Sequence, residues 1–224
     1  ESLRASGDTT GTLLGVLDRT QTPMGARLLR QWILAPLTEV AAITDADMRG
    51  EIKDYKDSLR QRVALLQGVP ESALHEVYQH RLRLNPGAQA LVQACQRAGL
   101  KTLLVSGGFT FFTDRIRDLL GLDETRSNVL EVANGVLTGR LVDQDWGDIC
   151  DGEEKRRKLA QSCAQLGIAP AQAIAMGDGA NDLPMMEVAG LSVAYHAKPA
   201  VRAQAMVSIE EGGLDRLLEV VQPV

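Results

Sequence analysis

Cysteine is scarce in this sequence: three in 224 residues, Cys95, Cys150 and Cys163, with no Cys-x-x-Cys spacing. Such an odd, scattered set supports neither a disulfide framework nor a zinc site, and it fits a reducing compartment such as the cytoplasm. His75 and His80 have no carboxylate or cysteine at ligand spacing, so they add no metal signal. Long apolar runs are missing too. None approaches the roughly 20 residues that a helical bilayer span requires, and the first residues are polar rather than signal-like, so no membrane partner is expected. An excess of positive charge is also lacking, since 24 Lys and Arg against 29 Asp and Glu leave a formal charge of -5. That balance disfavours an extended nucleic-acid interface. A small anionic substrate needs only local positive charge.

With 45% hydrophobic residues the chain can bury one substantial core and carry a smaller module. From Ala94 onward, short apolar runs alternate with amphipathic stretches. Thr102 to Val105, Ile174 to Met176, Leu191 to Ala194 and Met206 to Ile209 read as buried parallel strands. Phe111 to Leu120, Glu153 to Leu166 and Leu214 to Val221 read as helices between and after them. The expected fold is an α/β doubly wound parallel sheet. Between Val129 and Val142, Asn134-Gly135 sits amid alternating apolar positions and predicts a β-hairpin. Thr44 to Leu84 is charged and periodic at helical spacing, broken at Gly68-Val69-Pro70 and Asn85-Pro86-Gly87, and reads as a small helical cap.

The strongest chemical signal is Gly177-Asp178-Gly179-Ala180-Asn181-Asp182, which follows an apolar strand. Two carboxylates four residues apart, with glycines that let backbone approach a ligand, suit Mg2+ held beside a phosphate. Taken alone, the same residues are also those of an ordinary turn leading into an acidic helix N-terminus. A second signal is Val105-Ser106-Gly107-Gly108, where a hydroxyl and glycine amides at a strand end precede a helix. That pattern suits phosphate oxygens.

These segments resemble the phosphoserine phosphatases of the haloacid dehalogenase superfamily. Met48-Arg49-Gly50-Glu51, Ser58 to Val63 and Ala194-Tyr195-His196-Ala197-Lys198-Pro199 extend the resemblance, which runs from about Glu39 to the C-terminus. The resemblance implies a haloacid-dehalogenase-like core at 87–224, a cap at 39–86, Mg2+ as cofactor and L-phosphoserine as substrate. It also implies an aspartate nucleophile that forms a phosphoaspartyl intermediate, which water then hydrolyses. By position, Asp178 and Asp182 match the magnesium aspartates and Asn181 the substrate-side asparagine. Ser106 and Gly107 match the phosphate-binding hydroxyl and amide, and Lys155 the lysine that neutralises phosphate and nucleophile. Met48 and Arg62 match substrate-side cap residues. Read without the resemblance, Lys155-Arg156-Arg157-Lys158 is a solvated helix face and Arg62 a surface arginine.

The family begins with a strand ending in Asp-x-Asp-x-Thr, and this sequence has no such match. Asp45-Ala46-Asp47 falls inside the cap and ends no strand. The nearest substitute is Leu13 to Thr22, an apolar run ending in Asp18-Arg19-Thr20-Gln21-Thr22. It makes Asp18 the candidate nucleophile and puts Thr20 where the acid-base aspartate belongs. Arg27 then stands where the family carries a substrate-side glutamate. A different resemblance covers the same residues: Thr12 to Trp32, continuing to Ala35-Pro36-Leu37, is similar to a core segment of bacterial MutS mismatch-repair proteins. The expectation is a chimeric chain, with a MutS-like segment at 1–38 and a phosphatase of impaired activity after it. The alternative is a non-catalytic phosphate- and magnesium-binding scaffold, or an interaction module carrying the MutS-like element.

Overall fold

The computed structural model describes residues 55–221. The chain divides into two compact units, Glu1–Gln67 and Gly68–Val224. Asp18, Met48, the whole 1–38 segment and the start of the expected cap therefore lie outside the described residues.

Within the first unit, α1 (Tyr55–Ala64) buries Leu59 and Val63, which share one face at the four-residue helical spacing. Arg62 Nε donates to the Ser58 carbonyl of the same helix at 3.3 Å.

The second unit opens with residues 68–71 laid along a β-hairpin. Gly68 donates to Leu137 O, Leu137 to Val69 O and Glu71 to Gly135 O. These bonds draw α2 (Ser72–His80) into the same unit as the sheet. The unit boundary thus falls at 67/68, within the stretch read from sequence as one cap spanning 39–86.

Next come α3 (Ala88–Arg97), β1 (Leu103–Phe109), α4 (Thr110–Leu120), β2 (Glu124–Asn128), β3 (Leu130–Ala133) and β4 (Val136–Leu141). After them follow α5 (Gly152–Gln165), β5 (Ile174–Gly177), α6 (Leu183–Val188), β6 (Leu191–Tyr195), α7 (Pro199–Arg202), β7 (Val207–Ile209) and α8 (Leu217–Val220). Strands β1 and β2 pair in parallel, as do β5, β6 and β7 in that spatial order. The hairpin β3–β4 is antiparallel. Its turn places Asn134 at φ 52° and Gly135 at φ 75°, the left-handed pair that a two-residue hairpin needs to match strand twist. The C-terminal segment read as one helix begins instead with a 3-10 turn, Leu214–Arg216. Met206 is exposed and lies just outside β7.

β6 shows why the sheet must be covered on both faces. Ala194 packs into a cluster with Leu159, Cys163, Met185 and Met186 from α5 and α6. Its neighbours Val193 and Tyr195 point the other way, to Ile209, Leu217 and Leu91. Successive side chains alternate across a strand, so the consecutive apolar residues Val193, Ala194 and Tyr195 are buried between two layers. Among the described residues, no helix is long and apolar enough to cross a membrane.

β2 was not legible as a strand, because Glu-Thr-Arg-Ser-Asn contains no apolar residue. The structure supplies the reason it forms. Glu124, Arg126 and Asn128 face the α5 side: Lys158 and Ser162 bond Glu124, and Arg126 meets Glu154 at 2.5 Å. Asn128 accepts the Cys150 N–H just before α5, at 2.6 Å. Thr125 and Ser127 face α4, where Thr125 donates to Asp114 at 2.9 Å and Ser127 shares a hydrogen bond with Thr113 at 2.7 Å. A buried polar strand is tolerable only when each group finds a partner. Among the described residues, no buried side-chain nitrogen or oxygen lacks one.

The Lys158 ammonium, helped by Ser162, holds the Glu124 carboxyl below the ordinary carboxylate range against the opposing cost of desolvation. A carboxyl whose pKa is lower folded than unfolded stabilises above its unfolded value, and that contribution fades as pH falls through the folded value. Wild type should therefore exceed Glu124→Gln in stability at neutral pH. The gap should close as acid takes the solution below about pH 4. Urea melts of both proteins at pH 7 and pH 3 check this, and a gap that is constant or widens in acid contradicts it.

Candidate active site

Three chain segments converge through identifiable contacts: the end of β1, the start of α5 and the loop after β5. The α5 start is built by Asp151, whose carboxylate caps the helix by accepting the Glu154 N–H at 2.9 Å. One turn in, Lys155 points inward and is 5% exposed. The reading of 155–158 as a solvated face is thereby corrected for Lys155 and Lys158, both buried. Helical spacing turns these two to the protein while Arg156 and Arg157 remain outside, where Arg157 meets Glu154 and the Trp146 carbonyl.

Lys155 Nζ meets Asp182 Oδ1 at 2.6 Å, with both side chains buried. The other oxygen of Asp182 accepts the N–H groups of Asp178 and Gly179, each at 3.1 Å. Asp182 is thus clasped by one ammonium and two amides. Gly177 makes room for it, because a Cβ there would lie 2.3 Å from the Asp182 Cβ. Any side chain at 177 would expel the carboxylate. Gly152 does the same for the approach of α5 to this loop, since a Cβ would meet Pro184 at 2.9 Å and the Asn181 carbonyl at 3.2 Å.

Asp178 differs from Asp182. It is exposed at the C-terminal end of β5, and its carboxylate makes no hydrogen bond among the described residues. The oxygen donors here suit a hard cation such as Mg2+, which takes one or two carboxylates and keeps several waters. Asp178 is the carboxylate open to a metal. Asp182, the other carboxylate expected at the metal, has one oxygen engaged by Lys155 and the other by the Asp178 and Gly179 N–H groups. Among the described residues, no cluster of three or more Asp, Glu, His or Cys forms an all-protein metal cage.

Strand β1 runs past the expected Val105 to Phe109, with an irregular register against β2 between those two residues, and in that stretch Ser106 Oγ accepts the Gly108 N–H at 3.0 Å. Asn128, fully buried, donates to the carbonyls of Gly107 and Gly108 at 2.8 and 3.1 Å. Its own oxygen takes the Cys150 N–H, which ties the serine–glycine segment to the approach of α5. Sequence reasoning missed Asn128, Gly152 and Glu154; an isolated asparagine before a hairpin carries no signal of its own. Cys150 sits in this wall as a thiol, its pKa pushed up to about 12 chiefly by desolvation. It is a packing residue and no nucleophile.

His196 is held by its loop: its Nε2 pairs with the Gly212 carbonyl at 3.0 Å and its ring stacks on Tyr195. Arg62 belongs to the first unit. The structure thus links Lys155, Asp178 and Asp182 directly, brings Asn181 alongside, and joins Ser106 and Gly107 to them through Asn128 and Cys150.

A haloacid dehalogenase-like hydrolase profile matches residues 8–187 of the chain. Phosphoserine phosphatase of Polaromonas sp. strain JS666 is 77% identical over 184 residues, which cover 82% of this chain and 78% of that protein. The unliganded crystal structure of a probable phosphoserine phosphatase from Vibrio cholerae superposes with TM-score 0.75 and 36% identity, covering 90% of this chain and 61% of that one. A substrate-bound phosphoserine phosphatase complex superposes with TM-score 0.74 and 33% identity, covering 82% of this chain and 85% of that one.

Proposed function

Because the chain belongs to the haloacid dehalogenase-like hydrolases, and among them to the phosphoserine phosphatases, we propose that it is a magnesium-dependent phosphomonoester hydrolase whose site is shaped for L-phosphoserine. The observation that carries this reading is the buried Lys155–Asp182 pair beside the open carboxylate of Asp178. Burying an ion pair costs desolvation that its own attraction repays only in part, and charged groups kept in such a place beside strand ends mark a candidate functional site.

In this reading the Ser106 hydroxyl and the Gly107 amide hold phosphate oxygens, and Lys155 offsets their charge. Mg2+ bound at Asp178 would supply Lewis-acid stabilisation of the transferring phosphoryl group. The Asp18 carboxylate attacks phosphorus in line as the bond to the serine oxygen breaks, and water then cleaves the acyl phosphate. Met48 and Arg62 are proposed on the serine side, where a planar guanidinium suits a carboxylate. Asn181 is proposed beside the phosphate.

Two sequence features favour a low rate: Thr20 in place of an acid-base carboxylate, and Arg27 in place of the substrate-side glutamate. The haloacid dehalogenase-like profile begins at residue 8, inside the 1–38 segment, so the expected low rate rests on these two residues and not on a foreign segment. The second reading, a scaffold that binds phosphate and magnesium without turnover, rests on the same two features.

Magnesium should raise the melting temperature of the wild-type protein, and Asp178→Asn should abolish that shift. Thermal melts with and without Mg2+ decide the point. A shift that survives in Asp178→Asn removes Asp178 from the metal site. Phosphate release from L-phosphoserine with Mg2+, set against phosphate binding alone, separates the hydrolase from the scaffold.

A further inference from the structure

Asn128 bonds neither the Ser106 hydroxyl nor the Gly107 N–H proposed to meet phosphate, yet its amide is bonded on both sides. Its Nδ2 donates to two consecutive carbonyls, Gly107 O at 2.8 Å and Gly108 O at 3.1 Å. A peptide plane is rigid, with its N–H opposite its C=O. Turning the Gly107 carbonyl toward Asn128 therefore turns the Gly108 N–H away, and that N–H lands on Ser106 Oγ at 3.0 Å. An Oγ lone pair occupied in this way leaves the serine hydrogen to donate elsewhere. Meanwhile Asn128 Oδ1 holds the Cys150 N–H, five residues before Lys155. One buried side chain thus sets the peptide orientation of the serine–glycine segment and registers it against the helix that carries the lysine.

We propose that Asn128 is the positioning residue of the phosphate site: it fixes Ser106 as a hydrogen-bond donor and keeps that hydroxyl in register with Lys155. The inference rests on the phosphatase reading above. Aspartate is the sharp probe, because it keeps the shape and the acceptor for Cys150 N–H but replaces two donors with an anion facing two carbonyls. Loss of an aligned donor to a charged ligand weakens binding by roughly tenfold or more.

The test measures the Kd for inorganic phosphate with Mg2+, and KM and kcat for L-phosphoserine, in wild type, Asn128→Asp, Ser106→Ala and the double variant. The expected result is a phosphate Kd, and a KM where turnover is measurable, raised about tenfold in Asn128→Asp, with little further loss in the double variant. Should Asn128→Asp fail to fold, Asn128→Ser, which vacates room for a water, carries the same cycle. A merely structural residue would lower the active fraction, hence apparent kcat, and leave KM and Kd unchanged. That outcome, or full additivity with Ser106→Ala, overturns the proposal. Wild type that binds no phosphate overturns the phosphatase reading and this inference with it, whereas normal wild-type binding matched by Asn128→Asp overturns only the role of Asn128.

Discussion

Lys155→Met should abolish measurable phosphate binding and should also destabilise the protein by roughly 3–5 kcal/mol, the cost of leaving one member of a buried ion pair unpaired. The partner in question is Asp182, whose Oδ1 lies 2.6 Å from the ammonium. Once the lysine is gone, Asp182 keeps only its two amide donors, from Asp178 and Gly179. The two effects come apart in a double variant. Lys155→Met with Asp182→Asn removes both charges, so a large part of the lost stability should return, while phosphate binding should not. Lys158→Met, on the same helix as Lys155, is the control: it breaks the contact with Glu124 of β2, so stability should fall while phosphate affinity holds. Urea melts and phosphate titrations of the four proteins read the outcome. Equal phosphate affinity in wild type and Lys155→Met would return this lysine to a purely structural role.

Turnover of L-phosphoserine is expected to be undetectable or very slow in the wild type, about 10²- to 10⁴-fold below that of an enzyme with an acid-base carboxylate at the Thr20 position. Thr20→Asp alone should not bring the rate to normal. It supplies one missing carboxylate but leaves Arg27 where the family has a substrate-side glutamate. An arginine in that place repels the serine ammonium, which a glutamate would attract. Steady-state phosphate release from wild type, Thr20→Asp and Asp18→Asn tests the assignment. Residual release lost in Asp18→Asn supports Asp18 as nucleophile. Robust wild-type turnover that disappears in Asp18→Asn means the segment around Asp18 forms a working site and the expected impairment is wrong. Release that persists unchanged in Asp18→Asn removes Asp18 from the mechanism. Asp18, Thr20 and Arg27 lie outside the described residues, so chemistry rather than geometry carries this prediction.

Much of the α/β core could be read from the chain. The apolar runs ending near Val105, Met176, Ala194 and Ile209 are strands, and the Asn134-Gly135 turn is a hairpin. These features depend on side-chain periodicity and on backbone preferences of neighbouring residues, which act over a few positions. β2 could not be read in that way. Its strand character depends on Glu154, Lys158 and Ser162, about 30 or more residues further along, and on α4 before it. A polar pentapeptide becomes a buried strand only when folding brings each of those partners to it.

The candidate site divides along the same line. By itself the sequence determined that a glycine-rich acidic loop follows one strand, because close approach and oxygen chemistry restrict the residue types. It also determined the resemblance that links that loop and the serine–glycine segment to phosphate and magnesium. Ser106-Gly107-Gly108, read as following a strand that ends at Val105, lies instead inside β1, which runs on to Phe109 with an irregular register. Only the tertiary structure decided that Lys155 and Lys158 are buried while the arginines between them are not, since a run of four basic residues does not reveal which side of a helix is covered. The tertiary structure alone separated the engaged Asp182 from the open Asp178, and brought Asn128 between Gly107 and Cys150. Those distinctions rest chiefly on hydrogen bonds between residues 21 to 34 positions apart. Such bonds form only after long loops close and water is excluded, so no local pattern in the chain can announce them.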